Sequence, residues 1–596
     1  MKLFLPRQAS AASSHLVRRP TARFLTAMSP PASRTYADAL GLLDTLIPNT
    51  KVHALFGKPQ TAVPGGSPQP PQQPASDPNL LAIPEMRAWL LRANLTPQRL
   101  SALSCIHIAG TKGKGSVAAL TTSALLAAAA ADASAPARSG TGTSPGPGRV
   151  GTYTSPHLVS PRERIAIDGR PVSQPLFAAA FFELWDALSA CPADRDDGVL
   201  AGVPAGAKPF YFRFLTLLAF HIFLREGVRS VVLECGIGGE YDATNAVVGV
   251  VAGDGDGRGG GGGAAVTAAV ITQLGVDHVA MLGDTPEAIA WHKAGVMKPG
   301  VPAFTRRLDD RPAVMDVLRA RARDARARLV EVPDDAVDAW PGVSSSAGSG
   351  GPAVDKLPAG AFQKRNQALA ALAAAHHLRD DDDARALLRD VPEAVVAGLR
   401  EATLRGRHEV LERGDVAWHL DGAHNADSLA EAARWAAAVV FVVGGDTAAA
   451  AAAAAAASAT TKFVLVFNQQ ERDASALLLG LLREMEAAGV DVASRLDAAI
   501  FTRNDKTGGG GGGGGGAGDA EKEAAAVDVT VQERCAAAFR EAYPGVEALV
   551  CRDLTEMKGA VDAVARDAGV RVRVLVTGSM YLVGNVIGLL EPDGLL

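Results

Sequence analysis

The most constraining segment of this chain is Ile106-His-Ile-Ala-Gly110-Thr111-Lys-Gly113-Lys114-Gly115-Ser116. A β-branched run meets a glycine-rich turn, and the helical run Val117–Ala128 follows directly. Glycines let a backbone curl and aim its N–H groups at one point, and a helix N-terminus adds a positive dipole end. Such a turn cradles phosphate: Lys114 can reach outer phosphates and the Ser116 hydroxyl can hold Mg²⁺. The spacing departs from GxxxxGK[ST], because a glycine separates the lysine from the serine. A plain flexible turn is the bland alternative, which the strand before and helix after disfavour.

Further β-branched runs alternate with helical ones. Ser230–Glu234 follows the helical run Phe210–Glu226, and Ala268–Leu274, Val416–Leu420, Phe463–Phe467, Ala498–Thr502 and Val572–Val576 come later. Alternation of this kind predicts a parallel, helix-covered sheet. Arg164–Ile167 and Arg170–Val172 around Asp168-Gly169 predict a tight hairpin. The fold class is therefore α/β: a phosphate-loop, ATPase-type parallel-sheet domain over residues 36–400, then a smaller Rossmann-like α/β domain over 401–596. The length of 596 residues accommodates both. Pro64–Pro78, Ala133–Gly148, Gly253–Gly263, Gly342–Gly351 and Gly508–Gly518 are Gly-, Ser- or Pro-rich and read as flexible insertions.

Hydrophobic residues make up 48%, charged residues 21%, and the net charge is −5, so nothing global favours nucleic acid or a membrane surface. No stretch reads as a transmembrane helix. Cys105, Cys191, Cys235, Cys535 and Cys551 form no CxxC pair, and ordinary core packing is the simplest role. From Met1 to Tyr36 there is no acidic residue, while Lys2, Arg7, Arg18, Arg19, Arg23 and Arg34 are basic. Residues 1–35 thus have the composition of a mitochondrial transit peptide, with a disordered basic tail as the alternative. Starting at Met28 would give a cytoplasmic form beside the mitochondrial one.

Open α/β sheets bind ligands at the carboxyl ends of their strands. Glu234 ends one strand, and Asp277-His278 closely follows another. Alone, Glu234 suits a capping acid and His278 a surface histidine; their shared position beside the phosphate loop favours a site. Lys293, alone, reads as a helix-surface lysine.

With these residues in view, the chain resembles the folylpolyglutamate synthases of the Mur-ligase-like superfamily. The resemblance rests on HIAGTKGKGS (107–116), TSPHLVSPRERIAIDG (154–169), VVLECGIGGEYDATN (231–245), the segment 271–304, RGRHEV (405–410), LDGAHNADS (420–428) and FNQQERD (467–473). Lys112 and the FRFLT segment look like the eukaryotic type. The resemblance implies ATP-dependent ligation of L-glutamate to the γ-carboxylate of reduced folates through an acyl phosphate. Dihydrofolate synthase, which uses the same chemistry on dihydropteroate, is the alternative; a phosphate-loop regulatory protein is a more distant one. By position, Gly110, Thr111, Gly113, Lys114, Gly115 and Ser116 match the ATP loop. Ser116, Ser155 and Glu234 match magnesium ligands, and His278 matches the ligand of a second Mg²⁺. Lys293 matches a lysine that carbamylation turns into an oxygen ligand. Gln363 and Asn366 match nucleotide contacts, Arg407 an arginine near the terminal phosphate, and Asp421 and His424 the second domain's share of the ATP and glutamate sites. His424 is a candidate base. The resemblance leaves room for a monovalent cation, K⁺, and implies a monomer. Phe362 and Glu240 depart from residues common at those positions, His and Arg.

Overall fold

The structure, a computed structural model, describes residues 34–46, 78–134, 146–192, 199–200, 202–249, 264–343, 361–379, 388–441, 460–470, 473–505, 528–566 and 570–591. Residues 1–33 lie outside that range, as do all or most of the five Gly-, Ser- or Pro-rich segments.

Two sheets organise the described residues. The first contains β1 (Ser104–Ala109), β2 (Arg149–Tyr153), β3 (Ile165–Ile167), β4 (Arg170–Pro171), β5 (Val228–Glu234), β6 (Val248–Gly249), β7 (Ala264–Ile271), β8 (Pro302–Arg306) and β9 (Arg328–Val332). Its order is β4-β3-β2-β5-β1-β7-β8-β9, with β6 beside β7. The pairs β5–β1, β1–β7 and β2–β5 are parallel, and only the β2-β3-β4 edge runs antiparallel. Asp168 and Gly169 both take positive φ, +52° and +77°, as a two-residue hairpin turn requires.

Strands covered on both faces need apolar residues throughout rather than in alternation. Accordingly Cys105, Ile106, Ile108 and Ala109 of β1 are fully buried, as are Val231, Val232 and Leu233 of β5. One face packs on helix Tyr211–Arg225, whose Phe214, Leu215, Leu218, Phe220 and Phe223 are all buried. Burying each such side chain contributes about 1.5–3 kcal/mol. The other face packs on helix Lys114–Ser134, itself covered by helices Ala361–His377 and Glu393–Glu401. By length and composition Lys114–Asp132 would pass as a membrane span, which the sequence reading did not count. Its apolarity belongs to the core: Val117, Ala118, Leu120, Ala124 and Leu125 are fully buried.

The second sheet holds β10 (Glu409–Arg413), β11 (Val416–Leu420), β12 (Thr460–Phe467), β13 (Ala498–Thr502), β14 (Glu547–Cys551) and β15 (Val570–Thr577), in the order β10-β11-β15-β12-β13-β14. It is parallel apart from β10. The two units meet where Leu158, just past Ser155, packs against Gly406 and against helix Met580–Leu590. A Cβ placed on Gly584 of that helix would lie 2.3 Å from the Leu158 carbonyl oxygen.

Candidate active site

Register places three strand ends together. Ile108 of β1 is opposite Glu234, the last residue of β5, and Ala109 is opposite Ile271, the last of β7. β7 ends three residues sooner than the run Ala268–Leu274 suggests, and Thr272 and Gln273 hold the glycine loop instead. The Thr111 and Lys112 N–H groups donate to the Gln273 carbonyl at 2.9 and 3.2 Å, and Thr272 Oγ1 donates to the Lys112 carbonyl at 2.7 Å. Thr111 Oγ1 donates to the Gly275 carbonyl at 3.0 Å.

Two of the loop's glycines, Gly110 and Gly113, are forced by space as well as by backbone. Gly110 has φ +150°, and a Cβ there would come within 1.9 Å of Thr272 Oγ1. Gly113 has φ +89°, and a Cβ there would lie 2.7 Å from Asn366 Oδ1. Asn366 thus leans on the loop, and its Nδ2 donates to Gln363 Oε1 at 3.0 Å. Helix Lys114–Ser134 begins at Lys114, with Gly115 and half-buried Ser116 in its first turn.

Two buried groups of opposite sign flank the loop. Glu234 is 4% exposed, accepts from the Ser155 N–H at 3.0 Å, and has Oε1 4.0 Å from a Cβ built on Gly115. Burial pushes its carboxyl up to about 7, against the opposing pull of Lys114. Lys293 is 1% exposed, which corrects the surface reading. Helix Pro286–Lys293 ends under the loop and turns the side chain inward. Its Nζ donates to the Gly110 carbonyl at 2.9 Å and to Asp277 Oδ2 at 3.3 Å. Burial lowers its amine to about 8, an effect that Asp277 opposes. Lys114 Nζ reaches the same Gly110 carbonyl at 3.0 Å. Paired perturbations of this kind, an acid moved up and a base moved down, mark functional sites.

His278 follows Asp277 in a left-handed conformation, φ +46°, with its side chain exposed beside this cluster. Lys114 follows the end of β1, Glu234 ends β5 and His278 lies seven residues past the end of β7, and these three strands are neighbours in the sheet. Asp277 and Thr272 were not singled out by the sequence reading; their signal was position, at or just past a strand end that also carries Gln273 and His278. Glu240, one of the departures, pairs with Arg321, which covers Trp291 on the helix of Lys293. The residue difference is thus absorbed by a local ion pair. Phe362 is half-buried at the start of helix Ala361–His377.

The second unit assembles its own group. Asp421 follows β11; its Oδ1 accepts from the Ala423 N–H at 2.9 Å and its Oδ2 from the His408 N–H at 3.1 Å. Arg407 NH1 lies 3.9 Å from Asp421. His424 Nδ1 donates to the Gly422 carbonyl at 2.9 Å, which selects the Nδ1–H tautomer and makes Nε2 the accepting nitrogen. Gln469 Nε2 donates to the His424 carbonyl at 3.1 Å. Arg407, Asp421 and His424 thus cluster with one another. They connect to the loop through an ion pair between Lys112 and Asp427, 2.6 Å long.

The donor set suits a hard divalent cation. Glu234 and the Ser116 and Ser155 hydroxyls are oxygen donors of the kind such a cation takes, and a buried carboxylate held near 7 gains from a cation partner. Among the described residues no three His, Cys, Asp or Glu side chains converge, so phosphate oxygens and water would complete the shell. Two buried polar atoms beside the loop, Asp277 Oδ1 and Gln363 Nε2, have no hydrogen-bond partner among the described residues.

No family model matches the chain. Individual proteins do. A folylpolyglutamate synthase from Neurospora crassa is 34% identical over 567 residues, 94% of this chain and 92% of that one. One from Saccharomyces cerevisiae (strain FostersO) is 35% identical over 434 residues, 72% of this chain and 66% of its own length. Among solved structures, a Mycobacterium tuberculosis folylpolyglutamate synthase complexed with ADP is 25% identical, with a TM-score of 0.52 over 86% of this chain and 95% of that one. Near-complete coverage at that identity, on the same two-sheet frame, places the chain in the folylpolyglutamate synthase family.

Proposed function

We propose that the chain ligates L-glutamate to the γ-carboxylate of reduced folates, driven by ATP hydrolysis to ADP and phosphate. The observation that carries this reading is the convergence of Lys114, Glu234 and Lys293 on a glycine loop at adjacent parallel strand ends.

A carboxylate cannot be attacked by an amine directly, because oxide is no leaving group. In the first step a folate γ-carboxylate oxygen attacks the γ-phosphorus of ATP, and ADP departs. In the second step the glutamate nitrogen attacks the acyl carbon, a proton is lost, and inorganic phosphate departs. The protein's part is placement and charge compensation. Loop N–H groups and the helix start bind phosphate oxygens, and Lys114, already at the loop, exchanges a carbonyl for them. Glu234, Ser116 and Ser155 would hold Mg²⁺, which when bound offsets phosphate charge. His278 and Lys293 would hold a second ion once Lys293 is carbamylated; an amine near 8 has a neutral fraction able to react with CO₂. Gln363 and Asn366 face the nucleotide, and Arg407 stabilises the leaving phosphate. His424, fixed through Nδ1, offers Nε2 to the proton of the incoming amine.

The names of the two relatives favour folate over dihydropteroate as acceptor. The reading extends to a monomer, to K⁺ as an additional activator, and to mitochondrial and cytoplasmic forms. The last rests on the basic segment 1–35 and Met28, and fractionation with tagged Met1 and Met28 starts tests it. The activity is tested by supplying the purified chain with ATP, Mg²⁺ and labelled glutamate. Incorporation into tetrahydrofolate supports the reading; incorporation only into dihydropteroate replaces it with the alternative.

A further inference from the structure

The glycine loop carries one side chain that turns away from its own unit. The Lys112 backbone is pinned on both sides, its N–H on the Gln273 carbonyl and its carbonyl under Thr272 Oγ1. Its Nζ lies 2.6 Å from Asp427 Oδ2, across the boundary between the two sheets. Asp427 sits in the first turn of helix Ala426–Val439, whose N-cap Asn425 directly follows His424. A salt bridge thus runs from the phosphate loop to the turn after Asp421-Gly-Ala-His424. At another point of the boundary the units touch through Leu158 against Gly406 and Gly584. This packing contact and the charged tether both bear on how the second unit is presented to the first.

We infer that Lys112 and Asp427 are positioning residues for the ligation step, docking the His424 segment over the phosphate loop. The inference rests on the proposed ligase reading. It separates Lys112 from Lys114, which serves the phosphates. Both partners are substantially exposed, with side-chain accessibilities of 37% and 84%, so the pair is modest in strength and sensitive to salt. Asp427 also faces its own helix N-terminus, a favourable placement that substitution disturbs whatever its partner. A merely structural role would therefore cost stability without depending on Lys112.

The test uses the full chain with Asp427→Asn, Asp427→Lys, Asp427→Glu, Lys112→Asn and the Lys112→Asn/Asp427→Asn double variant. ATP affinity without glutamate is measured beside kcat/KM for glutamate. Asp427→Asn is expected to lower kcat/KM for glutamate about two- to five-fold while leaving ATP affinity within about two-fold. Asp427→Lys lowers it further, Asp427→Glu restores it, and the double variant is no worse than either single one. Small-angle scattering at low salt supplies a readout independent of turnover: Asp427→Lys should have the larger radius of gyration. Unchanged kcat/KM in Asp427→Lys overturns the inference. So do multiplying effects in the double variant, an Asp427→Asn loss of ATP affinity, or identical scattering. A wild-type chain without ligase activity refutes the functional reading, and scattering still decides the tether.

Discussion

Glu234→Gln should make the protein more stable at pH 8 while removing its activity. The side chain is 4% exposed, and its carboxyl is raised from 4.5 to about 7 chiefly by burial. Between those values the folded state holds a proton that the unfolded state has released. Stability therefore falls as pH rises through that window, and the penalty is complete above about pH 7. At about 1.36 kcal/mol per pH unit the penalty reaches about 3 kcal/mol. Relaxation of the site and the hydrogen bond from Ser155, which a glutamine carbonyl can keep, reduce the expected gain to about 1–2 kcal/mol. Glutamine does not titrate, so the gain should vanish below about pH 4.5. The assay is the first unfolding transition of wild type and variant at pH 4.5 and pH 8, with EDTA and without nucleotide. A variant less stable at pH 8, or a difference independent of pH, would refute the reasoning. The gain would show that the acid is kept for what it binds rather than for folding.

Lys114→Ala should cut turnover roughly a thousand-fold with little change in melting temperature, since among the described residues the side chain's hydrogen bond is to one loop carbonyl; full activity in that variant would remove the loop's assigned role. Gly113→Ala should cost about 2–4 kcal/mol from its positive φ and the clash with Asn366, and Asn366→Ala in the same chain should recover only the steric part. Urea unfolding of Gly113→Ala, Asn366→Ala and the double variant checks this, and an undisturbed Gly113→Ala contradicts it. Lys293→Ala should lose activity that added short carboxylic acids partly restore, if a carbamate supplies an oxygen ligand there. Steady-state rates with and without acetate decide the point, and loss without any repair counts against it.

The phosphate loop was legible in the sequence because its constraint is local. A strand, glycines at positive φ and a helix start occupy adjacent residues, and their chemistry needs nothing distant. Glu234 and His278 were legible by topology, since parallel strands align their carboxyl ends. What the sequence concealed was set by tertiary packing. Lys293 reads as surface because its helix neighbours are mixed, yet the helix end is driven beneath Gly110. Asp277 pairs with a lysine sixteen positions away, and Asp427 with one 315 positions away; no local pattern signals either. The outer strands β9, β10 and β14 and the interior strands β2 and β8 escaped notice for another reason. They are five residues each, and several carry arginine, glycine or proline in place of a β-branched run.

Oxygen transfer from the acceptor reports the acyl phosphate itself. Tetrahydrofolate labelled with ¹⁸O in its γ-carboxylate is incubated with the full chain, ATP, Mg²⁺ and L-glutamate, and the released phosphate is weighed by mass spectrometry. One ¹⁸O per phosphate, in step with amide formed, is the expected result. Amide formation with unlabelled phosphate, or label transfer that survives in Lys114→Ala at the wild-type rate, would contradict it.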